Sequence, residues 1–170
     1  MPLQIRYEGR ELGSTALEVA IDETSATHHE LIEPDGIALA TFAIDPPRLV
    51  PCLDMPYQIA QKLHACTEPL PEGNDRVRDI IDIWLLAALL DPTDLARVRS
   101  AAIETFRRRQ SHQWPPAVTS SDSWARDYAT LIAEYPDAPP TIDTAVEYLA
   151  GLIERIDTAQ SPGPDEDARR

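Results

Sequence analysis

The sequence has few of the features that mark secreted or membrane proteins. Its 170 residues include two cysteines, Cys52 and Cys66, which are too few for a disulfide framework. No apolar run reaches the ~18 residues of a membrane-spanning helix, and no signal peptide precedes the first predicted element. We therefore expect a cytoplasmic protein with no membrane partner. Since 43% of the residues are apolar, the chain can bury the core of one ordinary domain.

Lysine is the scarcest charged residue. A single lysine, Lys62, stands against fourteen arginines. Such a bias is typical of a skewed codon composition, so Lys62 is either a chance survivor or a position where arginine would not serve. An ammonium is a compact charge with a tunable pKa, whereas a guanidinium is a planar fork that stays protonated. The composition leaves both explanations open.

Positive charge as a whole is outnumbered. The formal net charge is −14, and such a surface repels phosphates. Because nucleic-acid-binding proteins are more often basic, any nucleotide or RNA site must be a local basic pocket. The alternative is that the acid keeps the chain soluble or attracts a basic partner. The basic run Arg107–Arg109 is interpreted as a helix end favoured by the helix dipole, with an RNA contact as the alternative.

The predicted elements change from strands to helices along the chain. Residues 3–7 and 15–21 alternate as strands do, and residues 8–14 can turn between them. Residues 22–50 are predicted to be irregular, with His28 and His29 in a surface loop. Five helices follow, with approximate bounds 54–67, 74–90, 91–110, 121–134 and 141–156. The predicted fold class is α+β, with a small N-terminal β region (1–50), a helical region (51–158) and a disordered tail (159–170).

The densest group of polar residues lies on the first two predicted helices. Asp79 and Asp82 are three residues apart and share a face. Consecutive helices joined by a short loop usually pack antiparallel, which would bring Lys62 close to Arg76, Arg78 and both acids. Such a group could hold a triphosphate, with the cations on phosphate oxygens and the acids orienting them or binding metal. A salt-bridge network that ties the two helices together is an equally good explanation.

The same two helices carry a resemblance to a known family. The sequence reads YQIAQKLHA over residues 57–65 and RVRDIIDI over residues 76–83. It resembles the AbiEii/AbiGii nucleotidyltransferase toxins of bacterial abortive-infection and toxin–antitoxin systems, whose motifs read QxAEKLHA and SRVKDLVDL. Gln61 replaces the usual glutamate and Arg78 the usual lysine. The resemblance extends over about residues 3–157, more loosely outside these motifs.

The resemblance implies roles for individual residues. Lys62 would contact the phosphates of an NTP, and Asp79 or Asp82 would be the essential acid. Arg76 and Arg78 have no role from the resemblance, but as cations beside the same group they would assist in nucleotide binding. Glu18 stands in the place of a strand aspartate of the family and would be a Mg²⁺ ligand. Without the resemblance, the local sequence favours an outward-facing acid on a half-buried strand. The implied partners are a cognate antitoxin and, as acceptor in some members, tRNA.

One family motif has no clear counterpart in this sequence. Family members carry a Gly-Gly/Ser helix start followed by an Asp-x-Asp strand that binds the nucleotide and two Mg²⁺ ions. Gly13-Ser14-Thr15 is superficially similar, but no Asp-x-Asp follows at the right distance. We therefore expect a remnant of a nucleotidyltransferase-like sheet, and a chain that is inactive unless the missing motif is supplied. The alternatives are a non-catalytic module that binds antitoxin, nucleotide or RNA, and an inert acidic helical protein.

Overall fold

The computed structural model describes residues 2–16, 28–33, 48–71, 73–121 and 123–160. Strands come first and helices follow, which confirms the predicted α+β class. The strands are β1 (Pro2–Tyr7), β2 (Arg10–Ala16), β3 (His29–Ile32) and β4 (Val50–Leu53). The helices are α1 (Met55–Thr67), α2 (Val77–Ala87), α3 (Leu95–Arg109), α4 (Trp124–Leu131) and α5 (Ile142–Thr158). Short 3₁₀ turns, Pro92–Asp94 and Ile132–Glu134, adjoin α3 and α4.

The first two strands form a hairpin, with a tighter turn than the predicted 8–14. Glu8 and Gly9 both have positive φ angles, 48° and 77°, as a two-residue turn of the mirror-image type requires. The second strand therefore starts at Arg10, and the prediction of a turn as far as residue 14 is wrong. The register shifts between Ile5 and Arg6, where the ladder contains a bulge. The rest of the predicted strand, 17–21, lies outside the described residues.

A second antiparallel pair corrects the prediction for residues 22–50. His29–Ile32 is strand β3 and pairs with β4, so that His29 lies opposite Leu53. His29 is thus in a strand, although it is exposed as a loop residue would be. The pairing joins segments about twenty residues apart in sequence, and local composition carries no signal for such a contact. Just before α1, the Asp54 amide donates to the His28 carbonyl, which ties this pair to the helices.

All five predicted helices are present. At the starts of α1 and α2, the side chains of Asp54 and Asn74 do not form the usual N-cap hydrogen bond with the helix. Asp54 makes no side-chain cap, although its carbonyl accepts from Tyr57 and Gln58. Asn74 does not cap α2 directly, since the helix begins at Val77. Its side chain instead donates to the carbonyls of Ala65 and Glu68 and accepts from the Arg76 amide. Asn74 therefore fixes the end of α1 to the start of α2.

Helix α1 lies at the centre of the helical part. It packs most extensively against α3 and α2, and its buried residues point to both neighbours. Fully buried apolar side chains from α1, α2, α3, α4 and α5 form one core, in which Trp124 and Tyr128 are the largest. Burying each large aliphatic side chain contributes about 1.5–3 kcal/mol, so this core fixes how α1 and α2 lie against each other. Both cysteines are free thiols.

Candidate functional site

The lysine and the two acids predicted from the helix motifs come together. Lys62 Nζ donates to Asp79 Oδ1 at 3.1 Å and to Asp82 Oδ2 at 2.6 Å. Lys62 belongs to α1 and both carboxylates belong to α2, so the contact depends on the packing of two helices. We call these three residues the Lys62 cluster.

The helix periodicity explains why these side chains meet at the edge of the core. On α1, Ile59 and Leu63 are fully buried, and Lys62 lies beside them. On α2, apolar residues fill the buried face, which leaves the two acids on its border. The side chains of Lys62, Asp79 and Asp82 are 29%, 14% and 31% exposed. The cluster is therefore held by the core and is still open to solvent.

The local electrostatics favour a charged lysine. Burial alone would lower the pKa of Lys62, but hydrogen bonds and charges from Asp82 and Asp79 outweigh it and raise the pKa above its usual value. On the neighbouring side of α1, burial, followed by the charge of Asp79, raises the pKa of Cys66 to about 12. Cys66 is thus a protonated core side chain, and Lys62 is the charged group of this region.

The ammonium retains one donor for a ligand. Nζ carries three N–H groups, and the two carboxylates accept from two of them. Within the described part of the chain, no third acceptor contacts Nζ. The third N–H can donate to an oxygen of a bound molecule without breaking either contact.

The two arginines expected at the site are close to it in sequence and exposed. Arg76 immediately precedes α2, and Arg78 lies in its first turn. The pairing of Arg78 with Asp82, which their spacing allows, does not form, because Asp82 contacts Lys62. Among the described residues, neither arginine forms a salt bridge.

The remaining predicted positions have different outcomes. Glu18, predicted as a metal ligand, lies outside the described residues. Gly13-Ser14-Thr15 lies inside strand β2, so it is not the glycine-rich start of a helix that the family's first motif requires. Outside the predicted site, Trp124 is a core residue, and Trp114 is half-buried beside α3.

Comparison with known proteins agrees with the helix motifs. Residues 2–150 match a family model described as the nucleotidyl transferase AbiEii toxin of a type IV toxin–antitoxin system. The chain belongs to the AbiEii family. Among curated proteins, no sequence matches it significantly. Membership of this family implies an antitoxin as partner. None of the described helices is long and apolar enough to span a membrane.

The donor groups of this AbiEii chain decide whether a metal fits the site. Within residues 2–16, 28–33, 48–71, 73–121 and 123–160, no three His, Cys, Asp or Glu side chains are grouped as a metal site requires. Asp79 and Asp82 already share the Lys62 ammonium. The described residues therefore do not fit the two Mg²⁺ ions of the resemblance.

The sequence did not predict a polar array, a group of side chains that joins the residue before β3 to α1 and α3. The Tyr57 hydroxyl donates to Glu104 Oε2 at 2.5 Å and lies 2.8 Å from His28 Nε2, while Arg108 contacts Glu104 Oε1 at 2.7 Å. Burial, followed by the hydrogen bond to Glu104, raises the pKa of Tyr57 to about 12. The same hydrogen bond lowers the pKa of Glu104. The partners are 29 and 47 positions from Tyr57, so no local pattern could have indicated the array.

A chain of histidine contacts was also missed, and its proton positions follow from its ends. Arg109 can only donate, so His64 Nδ1, at 3.5 Å from it, accepts. His64 Nε2 then donates to Ser111 Oγ at 3.0 Å, and Ser111 donates to His112 Nδ1 at 3.0 Å. His112 Nε2 donates to Thr67 at 2.9 Å. Burial lowers the pKa of His112, which agrees with this neutral form.

Proposed function

We propose that the protein is a nucleotidyltransferase-type toxin of its toxin–antitoxin pair, acting in the cytoplasm and transferring a nucleotide from an NTP to an RNA acceptor when the Asp-x-Asp motif that its sequence lacks is supplied. tRNA is the acceptor to test first. The observation that carries the proposal is the Lys62 cluster, formed by the two helix motifs that are most similar to the family. In this proposal Lys62 contacts the NTP phosphates, and Asp79 and Asp82 hold its ammonium in place.

The charges of the cluster indicate what else a nucleotide would need. One ammonium and two carboxylates sum to about one negative charge, which by itself disfavours a polyphosphate. Arg76 and Arg78 stand at the start of the same helix with exposed guanidinium groups, and they can neutralise phosphate oxygens bidentately. We therefore assign them to nucleotide binding together with the third N–H of Lys62.

In this proposal, residues other than the Lys62 cluster would bind the metal. When bound, Mg²⁺ would neutralise phosphate charge during transfer. Its ligands would come from outside the described residues, with Glu18 as one candidate. The Lys62 cluster would bind and orient phosphates but would not supply the metal site.

A binding module without catalysis is the second candidate. It is favoured by the engagement of both carboxylates with Lys62, which leaves neither of them unpaired as a metal ligand or as a base. In that case the chain would bind nucleotide, RNA or antitoxin without transferring label.

The deciding experiment is label transfer from each α-labelled NTP to total tRNA with Mg²⁺. We compare the native chain with Lys62→Met and with Arg126→Gln, a matched loss of one exposed positive charge on α4. Transfer that only Lys62→Met abolishes supports the enzyme. Nucleotide binding without transfer supports the binding module. If the native chain shows no nucleotide binding and no transfer, both candidate functions are contradicted.

A further inference from the structure

Helix α3 concentrates positive charge in an acidic protein. Its fifteen residues include five arginines and one glutamate, whereas the whole chain has a net charge of −14. Some of this charge has a local explanation, since Arg97 pairs with Asp94 and Arg108 with Glu104. The helix dipole favours cations only in the last turn. Arg99, near the other end of the helix, is paired only loosely, since Asp157 Oδ1 lies 3.7 Å from its Nε.

A groove runs along one side of this helix. Arg99, Ile103 and Arg107 line it at spacings of four residues, so they lie on one helix face. The loop after α3 adds Gln110, Gln113 and Trp114, and the cavity has a volume of about 840 Å³. With a rise of 1.5 Å per residue, the two arginines are separated by about 12 Å along the helix axis.

The two arginines and the aromatic ring of this groove are at least partly exposed to solvent. The Arg99 side chain is 43% exposed, although its Nε is buried without a hydrogen-bond partner; it forms an ion pair with Asp157 Oδ1, which at 3.7 Å is too far for a hydrogen bond. That oxygen accepts instead from the Trp114 indole at 2.8 Å. Trp114 is further fixed by an edge contact with Phe106. Arg107 is exposed and, in the part of the chain that the structure describes, forms no salt bridge.

We propose that this α3 groove binds a single nucleic-acid strand. Two cations about 12 Å apart along the helix suit two separate, non-adjacent phosphates of one strand better than a single phosphate group. A half-buried tryptophan and two exposed glutamines provide a stacking surface and donor–acceptor groups for unpaired bases. An acidic peptide would use the arginines but would gain little from the amides. The identification of the strand as RNA, the acceptor, rests on the proposed function.

The test is fluorescence anisotropy with a labelled single-stranded oligoribonucleotide, measured without nucleotide at several salt concentrations. The variant is Arg99→Gln/Arg107→Gln, and the control is Arg126→Gln, whose side chain lies outside the groove. We expect the double variant to bind at least about tenfold more weakly, and its salt slope to be smaller by about 0.7 for each phosphate that it no longer neutralises. Arg126→Gln should bind like the native chain. Circular dichroism checks that each variant is folded.

Native affinity in the double variant, an equal loss in Arg126→Gln, or equally tight binding of duplex RNA would each overturn the proposal. Displacement of the strand by polyglutamate at equal affinity would also overturn it and would assign the groove to an acidic protein. Lys62→Met should bind the strand normally. Because the RNA-binding assay contains no nucleotide, a lack of RNA binding would not contradict the proposed role of Lys62. A lack of NTP binding would likewise not contradict RNA binding in the α3 groove.

Discussion

Replacing Lys62 by methionine should destabilise the protein, and neutralising its partners should restore most of the loss. The substitution keeps most of the apolar part of the side chain but removes two charge-assisted hydrogen bonds, at 3.1 and 2.6 Å. Such bonds contribute about 1.5–3 kcal/mol each when buried and less when exposed. With side chains 14–31% exposed, we expect a net loss of about 2 kcal/mol. For a chain of this length that corresponds to a fall of about 4–8 °C in melting temperature.

The triple variant Lys62→Met/Asp79→Asn/Asp82→Asn separates charge from packing. It leaves no partly buried carboxylate without a partner, and an uncompensated charge is the main cost of breaking such a pair. Its residual loss should be below about 1 kcal/mol, chiefly from the lost interaction of Asp79 with the start of α2. Calorimetric melting of the two variants and the native chain measures both effects. A native melting temperature for Lys62→Met, or a triple variant less stable than Lys62→Met, would refute this reasoning.

Three further predictions concern the surrounding structure. The pKa of His112 is lowered in the folded protein, so the unfolded chain takes up the histidine proton at a higher pH. The free energy of unfolding should therefore decrease as the pH falls from about 7.5 through the range in which the unfolded histidine titrates. Urea unfolding of His112→Gln should show a weaker pH dependence than that of the native chain. Tyr57→Phe removes the bonds to Glu104 and His28 and should lower stability by about 1–2 kcal/mol in urea, whereas Tyr148→Phe, without those partners, should be near neutral; equal losses would contradict the array. Ile83→Ala, at a position with no exposed surface, should cost about 2–5 kcal/mol by the same method, and a loss under about 1 kcal/mol would contradict the described core.

Helix periodicity predicted the helical part of the fold well. The apolar stripes of α1 and α2 determine which faces are buried, and the short loop between the helices limits how they can pack. For that reason the approach of Lys62 to Asp79 and Asp82 could be anticipated from spacing, although whether the group binds a ligand could not. Thr141 was also predicted correctly as the start of α5, where it forms a capping box with Thr144.

The N-terminal half was harder to predict because its contacts are less local. Glu8 adopts a positive φ angle that few residues other than glycine favour, so the tight hairpin was not anticipated. Strand β3 acquires its identity only by pairing with β4, and Tyr57 meets Glu104 across two packed helices. Contacts of this kind depend on the completed fold, whereas composition and periodicity report the neighbours of a residue along the chain.

The most direct test of the central claim is equilibrium binding of a labelled NTP to the native chain, Lys62→Met, the neutral triple variant and Arg126→Gln. The account predicts binding by the native chain and Arg126→Gln, and weak or no binding by both variants that lack Lys62, including the triple variant whose stability is restored. If the triple variant binds NTP as tightly as the native chain, the Lys62 cluster is a salt bridge that joins two helices and not a nucleotide site.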